Sequence, residues 1–188
     1  MLLDLLHAKG GELLLEAKLS LGDAEVRIRS GDVLSFFTRL RHEPELQFDF
    51  LVGITAVDYM DRDFLPRAEG GRFEVVYHLM SLVHRHRLRV KVSLSEDPPM
   101  LESITSLWAG ANFMEREVWD MFGIAFKHHP DLRRVLMYDE FVGHPLRKDY
   151  PVRGKQPRIA LRHPEGHNTS RDMRRPDLMG IGKSRRLS

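Results

Sequence analysis

The sequence predicts an α+β fold: a small, mostly antiparallel sheet with helices packed on one face, followed by an extended C-terminal arm. Three observations predict it. Phe73–Ser81 and Leu88–Leu94 alternate apolar with polar residues, and the link at Val83–Arg85 is short enough to join them as an antiparallel hairpin. Amphipathic helical stripes stand between such strands rather than in a separate block. From Val152 onward, prolines at 157, 164 and 176 and several glycines prevent any regular period.

The leucine-rich start, MLLDLLHAKGGELLLEAKL, is broken by Asp4, His7, Lys9 and Glu12, so it lacks the continuous apolar stretch of a secretory signal. Ala24, Val26 and Ile28 alternate with Glu25, Arg27 and Arg29 as a half-buried strand. Asp32 is placed to cap a helix whose core stripe is Val33, Phe36, Phe37 and Leu40, with Pro44 beyond its end. Phe48–Val57 is apolar and β-branched, a buried strand, and Asp58–Gly71 with Pro66 is a polar loop. In the hairpin, Phe73, Val75, Tyr77 and Leu79 share one face; Arg87, Arg89 and Lys91 form a basic face, wet or docking. Pro98 and Pro99 open a predicted helix through Leu101, Ile104 and Leu107, broken at Ala109-Gly110. Asn112 begins the next, with Glu115 three residues on as a capping box, Arg116 and Asp120 as an i, i+4 pair, and Gly123 as a left-handed stop. Asp131–Leu136 reads as a turn or two of helix. The resulting division is an α+β domain over 1–126, an interface segment over 127–151 and a basic extended tail over 152–188.

Composition excludes several classes. The chain has 188 residues, 42% of them hydrophobic, enough for a real core. It has no cysteine, which removes disulfides, thiolate zinc sites and iron–sulfur ligation. No apolar run approaches the roughly 20 residues of a membrane span, so the expectation is a cytoplasmic protein, soluble or peripherally attached. The net charge of +2 is unevenly spread: residues 1–126 carry −6 and residues 127–188 carry +8. A basic tail on an acidic body implies a partner for the tail.

The densest chemistry runs from Glu115 to Pro151, EREVWDMFGIAFKHHPDLRRVLMYDEFVGHPLRKDYP. Charges interleaved with aromatic and apolar anchors at this density mark an interface. Glu115, Glu117 and Asp120 also invite an acid–base reading, but the neighbouring Arg116 predicts ordinary ion pairing. His84 and His86, His128-His129 and His144 have no third ligand at metal spacing and read as solvated or turn residues. No GxGxxG or Walker pattern is present. The arginines and aromatics of 133–150 suit RNA as well as protein; acids at 131, 139, 140 and 149 interrupt the positive field and favour protein over nucleic acid.

This run resembles the 30 kDa subunit of proton-pumping NADH:quinone oxidoreductase, respiratory complex I. The motif positions are Glu115, Arg116, Glu117, Asp120, Met121, Phe122, His129, Arg133, Val135 and Leu136. Gly143-His144-Pro145-Leu146-Arg147-Lys148-Asp149-Tyr150-Pro151 matches too, as does Thr55-Ala56-Val57-Asp58. The resemblance spans roughly residues 30 to 151 and implies a structural subunit of the peripheral arm with no catalytic residue and no cofactor of its own. Flavin, iron–sulfur clusters and quinone would sit in partner subunits. The partners implied are the large 49 kDa subunit of the quinone module and neighbouring iron–sulfur subunits, at the cytoplasmic face of the cell membrane, with membrane contact only indirect. The interface residues implied are those of the motifs with Gly123, Pro130, Asp131 and Arg134; Gly143–Pro151 should run extended, with Leu146 and Tyr150 as anchors and Arg147, Lys148 and Asp149 paired at the rim. Equivalent subunits occur in membrane-bound hydrogenases, formate hydrogenlyase and deazaflavin-dependent dehydrogenases, and the motif does not separate these. The tail departs from the family pattern: residues 152–188 carry net +7 and almost no aromatic side chain.

Overall fold

Alternating apolar residues build a five-stranded sheet in the order β1-β2-β5-β4-β3. The strands are β1 (Leu14–Ser20), β2 (Asp23–Ile28), β3 (Phe50–Asp58), β4 (Phe73–Met80) and β5 (Arg87–Leu94). This is a computed structural model, and it describes residues 2–60, 71–94 and 98–157. Residues 1–155 form one compact unit, to which everything below belongs. The loop expected around Pro66, and the tail beyond residue 157, lie outside the described residues.

Three of the four strand pairings are antiparallel; β2 and β5 run parallel. Phe73, Val75, Tyr77 and Leu79 of β4 and Leu88, Val90 and Val92 of β5 are all but fully buried on one face. Against that face packs α2 (Val33–His42) through Val33, Phe36, Phe37 and Leu40, the four positions of the stripe. Phe37 meets Tyr77 and Trp108 at ring-centroid distances of 4.7 and 5.9 Å. Helix α1 (Leu2–Gly10) adds Leu6 to the same core. The α+β class is therefore as predicted.

Several local expectations are corrected. Asp32 occupies the N-cap of α2, but its side chain makes no capping bond and lies 3.5 Å from Arg29 instead. Residues 98–107 are not helical: Met100–Glu102 is a short strand, β6, paired in parallel with β7 (Ala125–Lys127), and turns follow. Leu101 and Ile104 are buried as their spacing demands, but on extended and turning backbone. Asp131–Leu136 forms no helix.

The basic strand face is not simply wet. Arg89 and Lys91 converge on Glu25, which is 4% exposed, and Arg27 pairs with Glu74 of β4, 2% exposed. Of the three basic residues on β5, only Arg87 is exposed; Arg89 and Lys91 are half-buried. The outer face is thus roofed by long side chains lying over carboxylates, which hides charge under aliphatic stems.

Candidate functional site

Helix α3 (Ala111–Phe122) organises the motif residues. Val118, Met121 and Phe122 turn into the core, and Arg116, Asp120 and Glu115 are also buried, at 7, 0 and 0% exposure. Buried charges need partners, and each finds them away from its own helix.

Asp120 accepts three consecutive backbone N–H groups, from Val135, Leu136 and Met137, at 2.9–3.1 Å. Its other oxygen takes Arg134 Nη1 at 2.5 Å. Burial alone would raise this carboxyl; the N–H groups of Met137 and Leu136 and the Arg134 guanidinium outweigh it and hold the pKa below the usual range. Arg134 also donates to the carbonyls of Phe141 and Gly143 and lies over the rings of Trp119 and Phe141. Arg116 donates to the carbonyls of Arg133 and Arg134 at 3.0 and 3.1 Å. The expected Arg116–Asp120 pair is therefore absent: both side chains instead clamp the loop that follows β7.

Glu115 also departs from its expected role. It does not cap its own helix, whose N-cap position is Gly110. Its carboxylate reaches the preceding turn, accepting from Ser103 Oγ at 2.7 Å and Ile104 N at 2.8 Å. Among the described residues no full cation joins it there: the nearest candidate, His129 Nε2, stands 3.9 Å away. That nitrogen donates to the Asn112 carbonyl, and Nδ1 accepts from the Asp131 N–H, a pattern that suits a neutral ring. With two neutral donors against full burial, burial wins and the Glu115 pKa rises to about 7.

The two separated family motifs meet in space. Asp58, at the end of β3, is gripped by Arg72 Nε and Nη2 at 2.9 and 2.8 Å and accepts the Lys148 N–H at 2.8 Å. Burial opposes its ionisation, but Arg72 and the N–H groups of Lys148 and Met60 hold its pKa low. Arg72 reaches Asp149 as well, at 3.0 Å, and Asp149 also takes Arg147. The Leu146 N–H donates to the Met121 carbonyl, and His144 Nδ1 to that of Asp120.

Gly143–Pro151 is consequently not extended but a chain of turns, closed by bonds from Arg147 N to His144 O and Tyr150 N to Arg147 O. Backbone demand for donors near Asp58 and Met121 overrides the bias that each proline puts on the residue before it. Tyr150 stacks on Phe141 at 5.9 Å, as an anchor within this chain. Leu146 remains 50% exposed. Of the remaining motif residues, Glu117 is exposed, Arg133 is 71% exposed and pairs with Asp131, and Pro130 sits in the bend between His129 and Asp131.

Gly123 closes α3 in the left-handed conformation, at φ 76°, as its sequence position predicts. A Cβ there would stand 2.7 Å from the His144 ring. Gly123→Ala should therefore cost about 1–2 kcal/mol in urea unfolding, through strained φ and a displaced His144. A loss under about 0.3 kcal/mol would show that the ring moves aside freely.

Sequence reasoning missed Arg72 and Ser103. Arg72 follows a Gly-Gly pair, where nothing local marks it, and only the fold brings it to Asp58 and Asp149.

The model of the respiratory-chain NADH dehydrogenase 30 kDa subunit family matches residues 26–156 of this chain. The NADH-quinone oxidoreductase C subunit of Roseiflexus castenholzii is 47% identical over 131 residues, covering 70% of this chain and 71% of that protein. Its namesake in Geotalea uraniireducens is 40% identical over 149 residues, covering 79% and 85%. Among solved structures, the trypsin-resistant fragment (1–134) of Nqo5 superposes with a TM-score of 0.56 at 36% identity, covering 70% of this chain and 96% of the fragment. A chain of an archaeal membrane-bound sulfane sulfur reductase gives 0.64 at 21% identity, covering 80% and 84%, a likeness of fold. With its motifs clamped around α3 and its match running from β2 through the turn region, this chain belongs to the 30 kDa subunit family of respiratory-chain NADH dehydrogenase.

Proposed function

We propose that this chain is a non-catalytic structural subunit of the peripheral arm of proton-translocating NADH:quinone oxidoreductase. It docks by the 127–151 segment on the large 49 kDa subunit of the quinone module, beside the iron–sulfur subunits. It holds their geometry while electrons pass from NADH to quinone through them, on the cytoplasmic side of the membrane. A chain without cysteine has no thiolate for a cluster, which fits that division of labour.

One observation carries the reading. The motif charges Asp58, Arg116, Asp120 and Arg134 are satisfied inside the chain, where they pin residues 131–150 to α3 and to the end of β3. Among what this segment leaves outside are large apolar side chains: Leu136, Tyr138, Val142 and Leu146 are 41–67% exposed, and Phe113 on α3 is 62% exposed, with the exposed charges of Asp131, Arg133, Asp139, Glu140 and Lys148 among them. A monomer gains nothing from a stiffened, exposed apolar ridge; an obligate interface does. Rigidity already present in the free chain also lowers the ordering cost of association.

Leu146→Asp tests this. Burying a leucine in an interface contributes roughly 1.5–3 kcal/mol, about 10- to 100-fold in affinity. Because Leu146 is half-exposed in the free chain, the change should cost folding no more than about 0.5 kcal/mol. The variant should melt like the parent but fail to copurify with the complex. Normal assembly would place the interface elsewhere.

A further inference from the structure

Exposed apolar side chains gather at two opposite ends of the sheet. The motif segment meets the end at Asp58. The other end carries the β1–β2 turn, the β4–β5 turn and the start of β3, where Phe50 pairs with Met80. Nine residues of β3 separate the two ends, about 26 Å at a strand's rise of roughly 3.3 Å per residue. At this second end Leu19, Leu21, Phe50, Val52, Leu82 and Val83 are each at least 49% exposed.

Two clefts open among them. One, of about 620 Å³, lies between α1 and the two turns, with Leu2, Leu3, Leu19 and Ala24 as its apolar lining. The second, of about 370 Å³, is lined by Phe50, Val52, His78 and Met80. Both clefts share Arg87 and Asp23, so the Arg87 side chain stands on the ridge between two apolar recesses. Arg85 lies beside it on the first cleft. Among the described residues neither arginine meets a carboxylate, in contrast to Arg89 and Lys91 on the same strand.

The turn that presents these cations is held firmly. Ser81 N donates to His86 O, His84 N to Ser81 Oγ and Leu82 N to Asp49 Oδ1, and His84 Nε2 donates to the Pro44 carbonyl. Arg85 itself is fixed at φ 56°, a conformation that non-glycine residues seldom adopt. Rigid presentation of unpaired cations beside apolar recesses is the arrangement of a recognition surface.

We propose that this end of the sheet is a second docking surface, whose occupant is a segment of another polypeptide with an acidic residue between two apolar ones. The acid pairs with Arg87, and the apolar side chains enter the two clefts. Charge selects this occupant. The chain's own residues 152–188 carry net +7 and would be repelled by Arg85 and Arg87. An anionic bilayer suits the site poorly, because Asp4 and Asp23 border it and would repel a continuous layer of anionic headgroups, whereas a single acid can be aimed at Arg87 alone. The inference rests on the reading of the chain as a structural subunit, and makes it a bridge between two partners rather than a cap on one.

The test uses the assembled complex, with a benzophenone amino acid in place of Leu82 in one preparation and of Leu146 in another. Both side chains are at least half exposed and both replacements leave the backbone bonds intact. Irradiation from position 82 should yield an adduct on a different polypeptide, at a peptide with one acid flanked by apolar residues. Adding Arg87→Glu should cut that adduct on the order of tenfold, while the adduct from position 146 stays unchanged. Cross-linking to lipid, to a second copy of this chain or to its own tail overturns the proposal. So does an adduct indifferent to Arg87→Glu, or none from position 82 when position 146 gives one. An adduct from position 82 but none from 146 would instead remove the proposed role of the motif segment and leave this surface standing; none from either would remove both.

Discussion

Replacing Asp120 by alanine is expected to cost about 3–5 kcal/mol, the loss typical when one member of a buried ion pair is removed. The carboxylate is fully buried and satisfies several donors in one place: three backbone N–H groups from Val135 to Met137, and the Arg134 guanidinium on its other oxygen. In the variant, Arg134, only 13% exposed, loses its carboxylate, and three N–H groups lose their acceptor together. Against a domain stability of roughly 5–15 kcal/mol, that is a large fraction. Urea unfolding of the free chain measures it. A loss below about 1 kcal/mol would mean that water replaces Asp120 at little cost.

The same carboxylate gives a sign for pH. Its folded pKa lies below the unfolded 3.8, so its stabilisation is fully present above the unfolded value and is lost as pH falls through the folded one. Asp120→Asn, which keeps the shape and removes the charge, should flatten the acid limb of the stability curve below about pH 4. Asp58 and Asp149 are shifted in the same direction and will keep part of that limb.

What was legible in the sequence follows from range along the chain. Helix α2 and strands β2, β4 and β5 were readable because their apolar periods translate directly into burial. Strand β1 was not: it is an edge strand with a register shift near Leu14–Glu16, and Leu15 and Leu19 face out, so no alternation survives. The false helix at 98–107 has a physical reason. Glu115 takes the Ile104 N–H, a donor that a helix through this stretch would have used on its own backbone. Within the site, residue identities were legible but pairings were not. Local spacing proposed Arg116 with Asp120, whereas the actual partners of Asp120 lie 14 to 17 positions on, and Asp58 meets Lys148 across 90. Only the closed fold, with β3 and α3 side by side, brings such groups together.

Glu115→Gln should make the protein more stable at alkaline pH, the reverse of what losing a motif acid would ordinarily do. The buried carboxyl has a pKa of about 7 in the folded chain against an ordinary value of 4.5. A group whose folded pKa is raised contributes stability that is fully present below the unfolded pKa and lost as pH climbs through the folded one. Between pH 4.5 and about 7 the unfolded chain ionises this carboxyl while the folded chain keeps it protonated, so the protein loses stability progressively, on the order of 3 kcal/mol in all. Glutamine avoids that cost. Its Oε1 can accept from Ile104 N as the carboxylate does, and its amide can donate to Ser103 Oγ, which keeps its contact with Thr105 Oγ1 at 2.8 Å. His129 and Tyr77 are the other titratable groups facing the site. Tyr77 is buried and raised well above its ordinary value, first by burial and then by the Glu115 charge, so it stays neutral throughout this window. The expected result is a wild-type melting temperature that falls between pH 4.5 and about pH 7, and a Glu115→Gln curve that is flatter there. The two should lie close at the acid end of that window and diverge at the alkaline end. Parallel curves would mean that Glu115 ionises near its ordinary value, with water or His129 supplying the compensation that the buried geometry lacks.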